Sequence, residues 1–316
     1  MADLSLEFCG VKLKNPIIAA SGTFGFGREY DELYDIGQLG GISVKGLSLK
    51  PRTGNPPSRI AETPSGMLNS VGLQNPGVDS FVEKDLPGLL EKNVAVIANI
   101  TGTSIDEYVQ MAERLAPTGV HMLEMNISCP NVHEGGVAFG VKPESVYQIT
   151  KAVKAAARQP LIVKLTPNVS DITENALAAQ EAGADAISMI NTLTGIAVDV
   201  RRRKMILANN TGGLSGPAVR PVALRMVWQS AQKVHIPIIG MGGIETGEDA
   251  AAFMLCGAQA VMVGTANFTD PFACPRIIRE LNDYCDAQKV QNAQELVGTM
   301  KAYYNENGIK RQTSCE

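Results

Sequence analysis

The chain has 316 residues, of which 45% are hydrophobic and 19% are charged, the profile of an ordinary soluble globular protein. A formal net charge of −4 gives no overall attraction to nucleic acid or to an anionic membrane. The N-terminus lacks a signal-peptide pattern and no run of about 18 apolar residues occurs, so a membrane span is not expected.

Eight short apolar runs predict strands that are buried on both faces, as in a parallel sheet. In chain order they cover residues 17–20, 41–45, 95–99, 122–127, 161–165, 186–190, 237–240 and 260–264. Helical patterns lie between several of them, over residues 104–116, 143–158, 170–183 and 246–257. The first of these helices opens with a capping-box pattern, Ser104 to Glu107.

This alternation, without a break in composition, predicts one domain over residues 1–316, folded as a (β/α)8 TIM barrel with an N-terminal β-hairpin around Cys9. A doubly wound sheet is the alternative. The glycines near residues 22–27 and 240–245 lack the spacing of its dinucleotide fingerprint.

Two insertions, residues 51–76 and 198–219, interrupt the alternation and are rich in polar residues, Pro and Gly. In a barrel of this kind they are expected as loops over the C-terminal mouth, where active sites lie. The basic run at residues 201–204 lacks interleaved aromatic residues, so it favours a solvated loop or a partner contact over a nucleic-acid site.

Polar residues end the predicted strands, among them Lys45 and Lys164, whose charges are costly to bury without an anionic or electron-rich ligand. Glycines follow strands seven and eight, at residues 240–243 and at Gly264. Loops at these positions often bind phosphate in barrels. Together they favour a phosphorylated planar cofactor, and flavin mononucleotide (FMN) fits better than a dinucleotide because no adenosine-binding motif is visible.

Cys129 lies between Asn126 and Asn131 and precedes a glycine-rich segment. A thiol with an ordinary pKa of about 8.5 can accept a proton at neutral pH with modest help. The simpler interpretation is a small buried thiol. The six cysteines form no Cys-x-x-Cys pair, which argues against a zinc or iron–sulfur site built by this chain alone and favours a reducing, cytoplasmic compartment.

The segments at residues 126–131, 70–75, 240–243 and 263–265 together resemble dihydroorotate dehydrogenases, over about residues 4–303. Residues 126–132, followed by Gly135-Gly136 and Phe139-Gly140, are similar to the class 1B catalytic subunit. The resemblance implies oxidation of dihydroorotate to orotate in pyrimidine biosynthesis, in which Cys129 takes the C5 proton while a hydride passes from C6 to FMN.

The resemblance also implies the residues that hold each ligand. The substrate would be bound by Lys45, Asn69, Ser70, Val71, Gly72, Leu73, Asn126, Asn191 and Thr192. One FMN per chain would be bound by Ser21, Lys45, Gly46, Asn99, Asn126, Lys164, Ile190, Gly216, Gly242, Gly243, Gly264 and Thr265. In this set, Lys164 would face the N1–O2 edge of the flavin, and the last four residues would hold the phosphate.

A class 1B enzyme implies a homodimer joined by an electron-transfer subunit into a heterotetramer. That partner would carry FAD and a [2Fe–2S] cluster and would reduce NAD+. Three alternatives remain open at this point: a fumarate-linked class 1A enzyme, a dihydropyrimidine dehydrogenase-type flavin subunit, and a flavin-free barrel.

Overall fold

The computed structural model describes residues 2–128 and 139–302. Its strands are β1 (Leu6–Phe8), β2 (Val11–Leu13), β3 (Ile17–Ala19), β4 (Gly41–Ser43), β5 (Ile60–Thr63), β6 (Gly66–Asn69), β7 (Ala95–Ile100), β8 (Met122–Asn126), β9 (Leu161–Lys164), β10 (Ala186–Met189), β11 (Leu193–Ile196), β12 (Val198–Asp199), β13 (Lys204–Met205), β14 (Thr211–Ser215), β15 (Ile238–Met241) and β16 (Ala260–Val263).

The helices surround these strands and connect most of them. They are α1 (Arg28–Asp31), α2 (Val78–Lys84), α3 (Leu86–Glu91), α4 (Ile105–Leu115), α5 (Pro143–Ala156), α6 (Ile172–Glu181), α7 (Arg220–Ala231), α8 (Gly247–Leu255), α9 (Ala266–Thr269) and α10 (Ala273–Ala287). Short 3-10 helices cover Ile36–Gln38, Pro217–Val219 and Ala293–Leu296. No helix within the described ranges is long and apolar enough to cross a membrane.

Eight strands close into a barrel in the order β3-β4-β7-β8-β9-β10-β15-β16, with β16 paired to β3. Each neighbouring pair is parallel. The predicted (β/α)8 barrel is therefore confirmed, and each of the eight predicted apolar runs overlaps one barrel strand. The runs are continuous because side chains pack inward on one face and against helices on the other.

The N-terminal hairpin of β1 and β2 closes one end of the barrel. Phe8 is fully buried in one cluster with Ile18 and with the first residues of strands β7, β10 and β16. The hairpin therefore covers the end opposite the strand carboxyl termini, and it leaves those termini free to build a site.

The two insertions form more regular structure than the loops predicted from their composition. β5 and β6 from the first insertion join β14 from the second in an antiparallel sheet that also includes β11. The two insertions are far apart in sequence and stabilise each other only once the barrel brings them together. The basic residues 201–204 lie exposed, the first three in the turn after β12 and Lys204 as the first residue of β13.

The helix starts follow local side-chain chemistry. The Ser104 side chain accepts from the Glu107 backbone N–H, but Glu107 bonds to Thr103 rather than back to Ser104, so only half of the predicted capping box forms. A complete capping box starts α8, between Thr246 and Asp249.

Candidate active site

A cavity of about 250 Å³ opens at the carboxyl ends of the barrel strands. Most of the residues predicted to bind ligands line it, and they come from all eight barrel strands or the loops that follow them. They are Ser21, Lys45, Gly46, Asn69, Val71, Leu73, Asn99, Asn126, Lys164, Ile190, Asn191, Thr192, Gly216, Gly242, Gly243, Gly264 and Thr265. The antiparallel sheet of β5, β6, β14 and β11, called the insertion sheet below, adds Met67, Leu214 and Ser215. The insertions therefore do cover this mouth.

Three predicted residues are not placed at the cavity wall. Ser70 is 9% exposed, and its hydroxyl and carbonyl oxygens accept from the Asn55 amide. Gly72 has φ +75°, and a side chain there would collide with Asn55. Both therefore shape the loop that carries Val71 and Leu73. Cys129 lies outside the described residues, as do His133 and Glu134.

Glycines build one wall of the cavity. Gly216, Gly242 and Gly243 all have positive φ, and a Cβ on Gly243 would lie 2.7 Å from the Gly216 carbonyl oxygen. Arg220 pairs with Asp249 at 2.6 Å and fixes the first turn of α7 against α8 beside this wall. Thr265 lies just before α9 and donates its hydroxyl to Ser215 at 2.9 Å. Small residues and a threonine hydroxyl form a cradle suited to a phosphate group.

A buried lysine lies at the base of the cavity. Lys164, at the end of β9, is 5% exposed, and its Nζ donates to the Ser21 hydroxyl at 3.1 Å. The same ammonium lies 3.6 Å from the carboxylate of Glu124 on β8. Its charge is thus compensated within the barrel, which explains how a lysine can end a buried strand.

Hydrogen bonds between amides orient the neighbouring wall. The Asn126 Oδ1 atom accepts from the Asn191 amide at 3.2 Å and from the Ser128 backbone N–H at 3.2 Å. Asn191 in turn accepts from the Thr192 backbone N–H through its own Oδ1. In the described part of the chain, the Asn126 amide nitrogen has no hydrogen-bond partner, so it is available to a ligand.

Lys45 differs from Lys164 in its surroundings. Its Nζ makes no hydrogen bond or ion pair with any residue in the described ranges, although it is half-buried at the cavity wall. Burial lowers the pKa of Lys45 below its usual value, and the nearby charge of Arg59 lowers it further. An anionic ligand would supply the countercharge that the described part of the chain does not provide.

Glu124 is the main residue that the sequence analysis missed. It was included in the apolar run at residues 122–127, yet it is fully buried and accepts hydrogen bonds from Ser43, Asn99 and Ser188. The sequence signal that could have identified it is a carboxylate inside an otherwise apolar, buried strand. Phe268, at the outer edge of the cavity, was also missed because it is on α9, beyond the strand-end pattern.

The fold and the site define a class: a (β/α)8 barrel whose carboxyl mouth joins a glycine cradle to a wall of amides and lysines, as in barrels that bind phosphorylated ligands. No cluster of three metal-ligating side chains occurs in the ranges that the structure describes. Residues 3–285 match the family model of dihydroorotate dehydrogenase. The chain belongs to the dihydroorotate dehydrogenase family, which is flavin-dependent in general.

Similar proteins cover nearly the full chain. A protein from Alkaliphilus oremlandii is 55% identical over 94% of this chain and 99% of its own length. One from Thermoanaerobacter sp. is 52% identical over 95% and 99%, and one from Geobacter metallireducens is 54% identical over 95% and 98%. Each of these relatives is named dihydroorotate dehydrogenase B (NAD(+)), catalytic subunit.

Proposed function

We propose that this chain is the catalytic subunit of an NAD+-linked dihydroorotate dehydrogenase and oxidises dihydroorotate to orotate in pyrimidine biosynthesis. One observation carries the proposal. A single cavity joins a cradle suited to phosphate, amides suited to a pyrimidine ring, and a lysine that has no countercharge among the described residues. The names of relatives that are 52–55% identical to this chain support the same reaction.

The residues present fit FMN as the cofactor. The close approach between Gly243 and Gly216 leaves no room for a side chain, as a cradle for a phosphate requires. Gly242, Gly264 and Thr265 complete that cradle in the proposal. Ser21, Gly46, Asn99 and Ile190 would contact the ring system. When bound, FMN supplies the two-electron acceptor for substrate oxidation.

Lys164 would hold the flavin edge on which negative charge develops. Its position is fixed before any ligand binds, by Ser21 on one side and Glu124 on the other. A preorganised cation stabilises developing charge without reorganisation at the moment of reaction.

The substrate would lie against the amides of Asn69, Asn126 and Asn191, because the edge of its ring alternates carbonyl and N–H groups. Asn191 holds Asn126 in place, so the Asn126 amide nitrogen can donate to the ring. Val71, Leu73 and Thr192 would complete this wall, with Ser70 and Gly72 supporting it. Lys45 would pair with the ring carboxylate.

Lys45 also favours dihydroorotate over uracil or thymine, which lack a carboxylate. A partly buried lysine that has no countercharge within the described ranges is costly in a site for a neutral ring. A dihydropyrimidine dehydrogenase-type activity is therefore the second candidate function.

Cys129 would be the general base that removes the C5 proton. Ser128, the residue before it, is tied to the site: its N–H donates to Asn126 and its hydroxyl donates to the Lys164 carbonyl at 3.3 Å. Ser128, the last described residue before Cys129, therefore lies beside Asn126 and Lys164. A cysteine can accept a proton there once it is ionised.

The electrons would leave through a partner. In this proposal two copies of the chain form a homodimer, joined by an electron-transfer subunit that carries FAD and a [2Fe–2S] cluster and reduces NAD+. The chain would operate in the cytoplasm.

One experiment tests cofactor and substrate together. The purified chain is expected to be yellow, and dihydroorotate added without oxygen should bleach the flavin, whereas dihydrouracil should not. A colourless protein would favour a flavin-free barrel. Rapid turnover of the isolated chain with fumarate, without gain from a partner, would favour the class 1A alternative.

A further inference from the structure

Glu124 lies inside the barrel behind two residues of the cavity wall. Its Oε2 atom accepts from the Ser43 hydroxyl at 2.8 Å and from the Asn99 amide at 2.6 Å. Its Oε1 atom accepts from the Ser188 hydroxyl at 2.7 Å and lies 3.6 Å from the Lys164 ammonium. One carboxylate on β8 therefore contacts side chains from β4, β7, β9 and β10.

The bond to Glu124 fixes the orientation of the Asn99 amide. A carboxylate only accepts, so the amide nitrogen of Asn99 must face Glu124. The Asn99 Oδ1 atom then points away from it, towards Gly46, where a Cβ would lie 3.0 Å from this oxygen. Gly46 and Asn99 both line the cavity. The wall thus presents a carbonyl acceptor close to the Lys164 cation.

The carboxylate also sets the net charge of this wall. Lys164 and Glu124 are 6% and 0% exposed at their side chains, so water screens their interaction little. With the carboxylate present, the pair is neutral overall. Without it, the wall would carry an uncompensated positive charge.

We propose that Glu124 is a positioning residue that turns the Asn99 carbonyl towards the cavity and neutralises Lys164. The wall then recognises a ligand edge with an N–H donor next to acceptors, as on the pyrimidine ring of a flavin. It also limits how strongly the site prefers the reduced, negatively charged flavin. This inference rests on the FMN site of the proposed function.

Glu124→Gln tests this inference because it keeps the shape and removes the charge. In this variant, the dissociation constant of oxidised FMN divided by that of reduced FMN should be at least tenfold higher than in the wild type. For a two-electron couple, that tenfold change is an upward shift of about 30 mV in midpoint potential. Dye-equilibrium titration of the purified holoprotein measures the potential, and fluorescence titration of the apoprotein measures FMN binding.

Ser188→Ala is the matched control. It removes one hydroxyl from the carboxylate but keeps its charge and the bond to Asn99, so the ratio should change by less than threefold. Glu124→Asp keeps the charge but withdraws the carboxylate from Asn99. It should weaken FMN binding at least tenfold without an upward shift in potential, and it serves where Glu124→Gln does not fold.

The outcomes separate the two proposals. A wild-type chain that does not bind FMN overturns the proposed function and this inference with it. A wild-type chain that binds FMN, together with an unchanged potential in Glu124→Gln or unchanged FMN binding in Glu124→Asp, overturns the role of Glu124 alone.

Discussion

Lys164 ends β9 and Lys45 lies two residues after β4; both line one cavity, but their charges have different surroundings. Glu124 compensates Lys164 at 3.6 Å, whereas Lys45 has no such carboxylate among the described residues. The same residue type therefore has two predicted tasks: Lys164 provides a fixed cation for the cofactor, and Lys45 provides a site for an anionic substrate.

Lys45→Met is expected to weaken orotate binding by about 2 kcal/mol or more, because the carboxylate loses a partly buried cationic partner. The FMN content of the variant is measured beside orotate binding, because Lys45 also belongs to the residues predicted to bind FMN. The pKa of Lys45 is lowered in the free protein, so the cation is present at low pH and is lost as pH rises through that value. Orotate affinity in the wild type should therefore fall in alkaline solution.

Isothermal titration of orotate between neutral and alkaline pH measures this effect. The alkaline loss of affinity should be absent from Lys45→Met, which has no proton to lose at this position. An equal pH dependence in both proteins would assign the titration to another group and contradict the role given to Lys45.

Cys129→Ser is expected to slow flavin reduction by dihydroorotate by roughly 10²–10⁴-fold, because a serine hydroxyl ionises far less readily than a thiol. The loss should be greatest near neutral pH. Stopped-flow measurement of anaerobic flavin reduction provides the rate, and the flavin spectrum shows whether FMN is retained. A normal rate would remove Cys129 from the mechanism.

At the scale of elements, the loops after β15 and β16 depend on glycine. Gly243 combines φ +74° with a backbone oxygen 2.7 Å from where its Cβ would be. Any side chain there is strained and also occupies the cradle. The turn after β15 can therefore adopt this backbone shape only because residue 243 is glycine.

Gly243→Ala is expected to lower FMN affinity at least tenfold, with some loss of stability from the strained backbone. Gly88→Ala is the matched control, because Gly88 is on the exposed side of α3 with nothing within 4 Å of its Cβ position. That control should be neutral or slightly stabilising. Flavin content and thermal unfolding measure both effects, and full FMN retention in Gly243→Ala would contradict the cradle.

At the scale of the whole molecule, the two ends of the barrel have different tasks. The hairpin of β1 and β2 closes the amino end with buried apolar side chains, whereas the insertion sheet covers the carboxyl mouth and contributes to the cavity. Stability and ligand binding are thus separated along the barrel axis, as is usual for this fold.

Phe8→Ala should therefore destabilise the protein without altering the site. Removal of a fully buried phenylalanine typically costs about 3–5 kcal/mol. Lys12→Ala in the same hairpin is exposed and should change the free energy of unfolding by less than about 0.5 kcal/mol. Denaturant titration compares the two. If the folded Phe8→Ala variant bound FMN more weakly than the wild type, the two ends of the barrel would be coupled.

The barrel and most of the cavity wall can be predicted from the amino-acid sequence alone. Strands buried on both faces leave continuous apolar runs, and polar residues at their carboxyl ends must converge when parallel strands close into a barrel. For this reason Lys45, Asn99, Asn126 and Lys164 were found from their positions at strand ends.

Which polar groups compensate one another cannot be predicted in this way, because it depends on contacts made in the folded barrel. The partners of Glu124 lie 25 to 81 residues away in sequence, and the insertion sheet pairs Asn69 with Gly213 across 144 residues. No local pattern encodes such contacts, since they depend on the closure of the barrel. The same closure gives Lys164 a buried countercharge, whereas Lys45 has none among the described residues.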